Sequence, residues 1–187
     1  MPNIEIELNP VDFITIGTVG PKGQRIFHLQ AGKEDEIVTL TIEKEQAHAL
    51  SEAIKDLLDD LDKRFPEKGS PVQPVPSVSM DLRDPIEPKF RVAQMGLGYD
   101  EERDMIVLVA QELVASLRAA ALDDDEDDED DERDPFGLET DSGDEPGIVR
   151  MWCSREQMRG LSQHSMDTVQ SGRPDPKLNG RLVYYWT

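Results

Sequence analysis

The chain has 187 residues, with 40 acidic and 20 basic side chains and a net charge of −20 at pH 7. That balance excludes general binding to nucleic acid or to an anionic membrane surface, because too few cations are left to neutralise phosphates in number. No apolar run approaches the roughly 18 residues of a membrane span, and the single cysteine, Cys153, leaves no internal disulfide.

The start, Met1-Pro2-Asn3-Ile4-Glu5, lacks the basic-then-apolar order of a secretory leader, so the cytoplasm is the expected location. Ile4, Ile6 and Leu8 alternate with Glu5 and Glu7, a short half-exposed strand closed by a turn at Asn9-Pro10. Residues 13–18 read as a second strand, and Gly17, Gly20, Pro21 and Gly23 make a tight connection into a third at 25–30. This glycine-rich stretch is no phosphate loop, since it lacks the Gly-Lys-Ser/Thr ending and leads into a strand. Another turn follows at 32–35.

Residues 37–65 hold the clearest pattern. Val38, Leu40 and Ile42 fall on one strand face, with Thr39 and Thr41 on the other. The period then changes: Leu50, Ile54, Leu57, Leu58, Leu61 and Phe65 recur at three- and four-residue steps. That spacing predicts an amphipathic helix of about five to six turns. Each large side chain in the stripe contributes roughly 1.5–3 kcal/mol if fully buried. Pro66 ends the helix by forcing the preceding residue out of helical geometry.

Residues 66–89 carry six of the thirteen prolines and read as an extended linker, with Val72, Val75, Val78 and Met80 able to lie along the folded surface. Residues 90–95 form a strand and 96–100 a turn. The continuous apolar run 105–110 predicts a central strand covered on both faces, and 112–122 a short helical extension. Ten consecutive acids follow at 123–132. Fifteen acids and one arginine in 123–145 leave a net charge of only −6 for the rest of the chain. Such a segment is expected to be a disordered loop, to about residue 146. It serves either solubility or docking to a basic protein partner, and composition leaves both open.

Residues 148–172 repeat the design of 37–65. Val149, Met151 and Cys153 stand where Val38, Leu40 and Ile42 stood, and Arg155-Glu156-Gln157 answers Lys44-Glu45-Gln46. Leu161-Ser162 answers Leu50-Ser51, Ser154 and Gln157 fit a capping box, and Gly172 offers a stop. Upstream, 13–20 and 25–29 resemble 90–98 and 103–107. The expected fold is therefore α+β: an antiparallel sheet built from two β-β-β-α repeats, with two helices packed on one face. The first repeat is 1–65, the linker 66–89 and the second repeat 90–187, with the acidic insertion at about 123–146 and a short strand in 182–186.

Several stretches also resemble a known family. Residues 13–20, Phe27-His28-Leu29-Gln30-Ala31, Glu43-Lys44-Glu45-Gln46, Phe90-Arg91-Val92 with Met95-Gly96-Leu97-Gly98, and Gly172-Arg173-Pro174 together resemble the bacterial family catalogued as domain of unknown function 3090. The resemblance covers nearly the whole chain except the acidic insertion, and it implies no mechanism. Many members end in cysteines and a histidine arranged as a small zinc knuckle. Here Gly172-Arg173-Pro174 runs directly into Asp175-Pro176 and Asn179-Gly180, with no Cys or His after His164. A structural zinc site needs four such ligands, so zinc does not carry over, and neither metal nor cofactor is expected.

Cys153 matches Ile42 of the first copy and reads as a buried thiol. His28, His48 and His164 are scattered, and no nucleophile, base and orienter stand together. The polar residues to watch are Arg25, His28, Gln30, Arg91, Arg150 and Arg173. A groove at the repeat junction would gather some of them into a ligand site; otherwise they are strand-face residues with solvated heads. The expected function is a non-catalytic binding or adaptor module working with a protein partner. The alternative is an enzyme or small-ligand protein for an anionic or phosphorylated metabolite.

Overall fold

A computed structural model describes residues 4–68, 79–114 and 145–171. In chain order they form β1 (Glu5–Leu8), β2 (Phe13–Val19), β3 (Ile26–Lys33), β4 (Glu36–Ile42), α1 (Lys44–Arg64), β5 (Pro88–Asp100), β6 (Met105–Glu112), β7 (Ile148–Cys153) and α2 (Arg155–Ser171). The fold is α+β. The strands make one seven-stranded sheet in the order β1-β7-β6-β5-β4-β3-β2.

The sheet is mixed, which corrects the antiparallel expectation. β1 runs parallel to β7 and β4 parallel to β5, while the other neighbours are antiparallel. For β4 and β5 the cause is the connection: α1 carries the chain back across the sheet, so the next strand enters in the same direction.

β1 and β2 stand at opposite ends of this order, yet only residues 9–12 separate them. Five extended Cα steps reach at most about 18 Å, whereas six strand spacings across a flat sheet amount to about 29 Å. The sheet must therefore curl until its ends meet. Where they meet, Val11 N donates to Trp152 O at 2.9 Å and prolongs the β1–β7 ladder.

The concave side holds a single core. Val38, Leu40 and Ile42 of β4 are buried there, as are Val149, Met151 and Cys153 of β7 and Ile106, Leu108 and Ala110 of β6. The other face of β6 is only half-buried, so the strand is not sealed on both sides as its apolar run predicts. α1 contributes Leu50, Ile54, Leu58 and Leu61, while Leu57 and Phe65 are only partly covered. α2 adds Met158, Leu161 and Val169. No helix among the described residues is long and apolar enough to cross a membrane.

The two helices start alike. Glu43 N donates to Gln46 Oε1 at 2.8 Å, and Ser154 N to Gln157 Oε1 at 2.9 Å. The amide nitrogen of Gln46 then reaches Val92 O at 3.1 Å, and that of Gln157 reaches Val11 O at 3.0 Å. Where the helices cross, Ser51 Oγ donates to Ser162 O at 2.7 Å and Ser162 Oγ to Ser51 O at 2.8 Å.

Part of the expected linker does lie on the folded surface. Residues 79–83 run as a strap across the convex side of β2 and β3. Thr15 Oγ1 donates to Met80 O, and the Gln30 amide exchanges two bonds with Arg83, Nε2 to O at 2.8 Å and Oε1 from N at 2.7 Å. Leu82 fills the space above Gly17, where an added Cβ would meet Leu82 Cγ at 2.5 Å. The acidic insertion, most of the proposed 112–122 helix, Val72, Val75 and Val78, and the C-terminal strand lie outside the described residues.

Candidate functional site

A cavity of about 640 Å³ lies between the start of β2 and the first turns of α2. Its walls are chiefly apolar, with Val11, Phe13, Ile14, Met80 and Met105, and its polar groups are largely engaged. Asp12 accepts from Glu34 N at 2.6 Å, and Gln157 and Thr15 make the bonds described above. A smaller hollow of about 290 Å³ lies between β5 and α1.

Polar chemistry concentrates elsewhere, in a cleft of about 540 Å³ at one end of the sheet. It sits where β3 begins, β4 ends and α1 starts. Gly23 to Phe27 form one wall, Thr41 to Lys44 another, and Arg91 of β5 closes a side. The turn from β2 to β3 delivers Arg25, with Gly20 and Gly23 at φ 110° and 88° allowing the chain to reverse. The capping of α1 fixes Lys44 as its first residue. The parallel pairing of Thr41 with Arg91 brings in the third cation.

Arg91 is ion-paired with Glu43, both about half exposed. Arg25 and Lys44 take part in no ion pair among the described residues. Three cations thus face one carboxylate, and that carboxylate is engaged by Arg91.

A second corner has the same construction and the opposite charge logic. Asp104 is the last residue of the turn before β6, as Arg25 is before β3, and Arg155 opens α2 as Lys44 opens α1. Arg155 is 5% exposed. Its Nε donates to Asp104 Oδ1 at 2.9 Å, Nη1 to Asp62 Oδ1 at 3.3 Å and Nη2 to Tyr99 Oη at 3.2 Å. Tyr99 Oη donates to Asp104 Oδ1 at 2.6 Å, and Arg159 joins Asp62 at 3.2 Å. Burial alone would lower the Arg155 pKa, but its bonds to Tyr99 and Asp104 outweigh that and raise it. Burial, followed by the bond to Asp104, pushes the Tyr99 hydroxyl up. This corner is closed and self-neutralised.

Of the six residues singled out from the sequence, the structure brings Arg25 and Arg91 together in the cleft. Gln30 is instead fully buried, bonded to Thr39 Oγ1 at 2.9 Å and to the strap. His28 is also buried, at 5% exposure. Its Nδ1 has no partner among the described residues. Burial lowers its pKa, against an opposing hydrogen bond to the Leu40 backbone. The strap's bonds to Gln30 account for its burial, which the strand pattern alone does not reveal. Arg150 lies apart, on β7, with Nη1 2.6 Å from Glu5 Oε1 of β1. Arg173 is outside the described residues.

Lys44 and the Arg155 network escaped the sequence reading. The signal was present in the matched helix starts Lys44-Glu45-Gln46 and Arg155-Glu156-Gln157, since two cations at equivalent places call for a comparison of their neighbours. Cys153 is fully buried, and burial pushes its thiol up to about 12, so it offers no thiolate at neutral pH. Among the described residues no group of three or more His, Cys, Asp or Glu is placed to hold a metal ion.

No curated protein and no solved structure matches the chain. Residues 6–181 match the family described as "Protein of unknown function (DUF3090)", and the chain belongs to that family.

Proposed function

We propose that this protein is a non-catalytic binding module of two β-β-β-α copies, whose junction holds an anionic ligand. The reciprocal bonds between Ser51 and Ser162 support the two-copy reading. An exchange in which each residue donates to its counterpart is what a two-fold axis generates. The ladders agree: Phe27 opposes Ile42 as Ile106 opposes Cys153, and Thr18 opposes Phe27 as Tyr99 opposes Ile106. β5 pairs with β4 through its first part and with β6 through the rest, just as β1 and β2 divide their pairing between β7 and β3. The copies are 1–65 and 90–187, joined by 66–89. An experimental structure whose two strand triplets fail to superpose after a half-turn would remove this reading.

The observation that carries the functional reading is the cleft itself, where Arg25 and Lys44 stand without carboxylate partners beside Arg91. Cations left uncompensated in a concavity attract anions, while the matched corner shows that the same fold can neutralise such a position internally. The single free Cys153 suits a reducing cytoplasm. Thermal unfolding of the full chain against a panel of anionic and neutral small molecules tests the proposal, since a ligand bound only by the native state raises the transition temperature. Anions alone should raise it, and Arg25→Ala should remove the rise. A panel in which no anion shifts the transition argues against the function.

A further inference from the structure

We infer that the Arg25–Lys44–Arg91 cleft takes a phosphate monoester bearing an apolar body. This rests on the binding reading above and names its ligand class.

The charge count comes first. Three cations line the cleft against Glu43 alone, so the uncompensated charge is near +2. A monocarboxylate leaves half of that unmatched, whereas a phosphate monoester carries about −1.5 to −2 near neutral pH. Geometry agrees. The cations come from three separate pieces of chain: the β2–β3 turn, the start of α1, and β5. A tetrahedral phosphate offers three terminal oxygens that diverge, one toward each. A planar carboxylate offers two oxygens in one plane and suits a single arginine fork. Arg91 keeps donors to spare beside its Glu43 partner, because a guanidinium has five N–H groups.

The apolar body follows from the cleft's rim. Ile26 lines the cleft and is 52% exposed, and Val19, opposite it in the β2–β3 ladder, is 43% exposed. They are the exposed large hydrophobic residues of the described chain, and Ile26 directly follows Arg25. A ligand that pairs its phosphate with the cations and lays an apolar group over Ile26 uses both features. The volume, about 540 Å³, falls within the range of small-molecule sites.

Titration calorimetry on the full chain at moderate salt tests this, with phenyl phosphate, inorganic phosphate, benzoate and hexaglutamate as probes. Phenyl phosphate should bind at least tenfold more tightly than benzoate. Arg25→Ala and Lys44→Ala should each weaken it by about tenfold or more, the usual effect of losing a charge-assisted hydrogen bond. Ile26→Ser should weaken phenyl phosphate while leaving inorganic phosphate unchanged. Arg159→Ala, in the opposite corner, should leave every probe unaffected, and circular dichroism confirms that each variant is folded. If benzoate matches phenyl phosphate, or only hexaglutamate binds and does so through Arg25, the monoester class is overturned while the anion-binding function stands. If no probe binds the folded protein, or binding ignores both Arg25 and Lys44, both fall.

Discussion

Two corners of this molecule are built alike and charged differently. In one, Arg155 is buried and held by Asp62, Asp104 and Tyr99. In the other, Lys44 takes the helix start and Arg25 takes the place of the acid, and a cleft remains open. An acid before β6 where a cation precedes β3, with Asp62 and Tyr99 added to the first corner alone, separates a corner that ties the fold together from one left open. Strength of charge is not what distinguishes them; the presence of an internal counter-ion is.

The sharpest way to break the comparison is to remove Arg155. Arg155→Ala removes the shared partner of Asp62, Asp104 and Tyr99, and stability should fall by about 1.5–3 kcal/mol, the range for hydrogen bonds to charged groups. Lys44→Ala, at the matching place, should change it by no more than about 0.5 kcal/mol. Urea denaturation of both variants measures the contrast, and equal losses would erase the distinction between the corners. Next in size is the strap. Gly17→Ala drives a methyl group into Leu82 and should cost about 1–3 kcal/mol. Gly98→Ala meets only a Val107 methyl at 3.0 Å and should cost less, by the same denaturation measurement.

Smaller still is the effect of Arg25→Asp, which gives the open corner the acid of the closed one. It should alter stability by about 0–1 kcal/mol, as exposed pairs do, and abolish binding of phenyl phosphate in calorimetry. The smallest effect concerns pH. Burial lowers the pKa of His28 in the folded chain. The unfolded chain therefore binds the proton more readily. Stability should be complete above the ordinary histidine value near 6.5 and decline as pH falls through it, levelling off below the depressed folded value. His28→Val, which copies Val107 from the other half, should flatten that slope in pH-dependent melting curves.

Much of the architecture was legible because it rests on periodicity. Val38, Leu40 and Ile42 announce a strand with one buried face, and Leu50, Ile54, Leu58 and Leu61 a helix stripe, whatever they pack against. The parallel pairings were not legible, since the four residues of β1 carry no mark of their partner β7 so far along the chain. Gln30 misled because a polar residue in a strand reads as solvent-facing, and only the strap's backbone explains its burial. The Arg155 network escaped notice for a related reason. An arginine reads as surface until Asp62 and Asp104 arrive from two other elements. Arg25 and Arg91 were found as cations, but what distinguishes them is the shortage of carboxylates around them, and that is a property of space rather than of sequence.

The short connection between β1 and β2 has a consequence for the order of assembly. Residues 5–8 leave the ribosome about 140 residues ahead of their ladder partner β7, with Glu5 set against Ile148. Until the chain beyond the acidic insertion is made, β1 has nothing to pair with and the curled sheet stays open along that seam. A strand made well before its partner is thus among the last of the described strands to be secured. A ribosome-bound chain stalled before residue 148 should leave β1 open to protease, and release past residue 153 should close it.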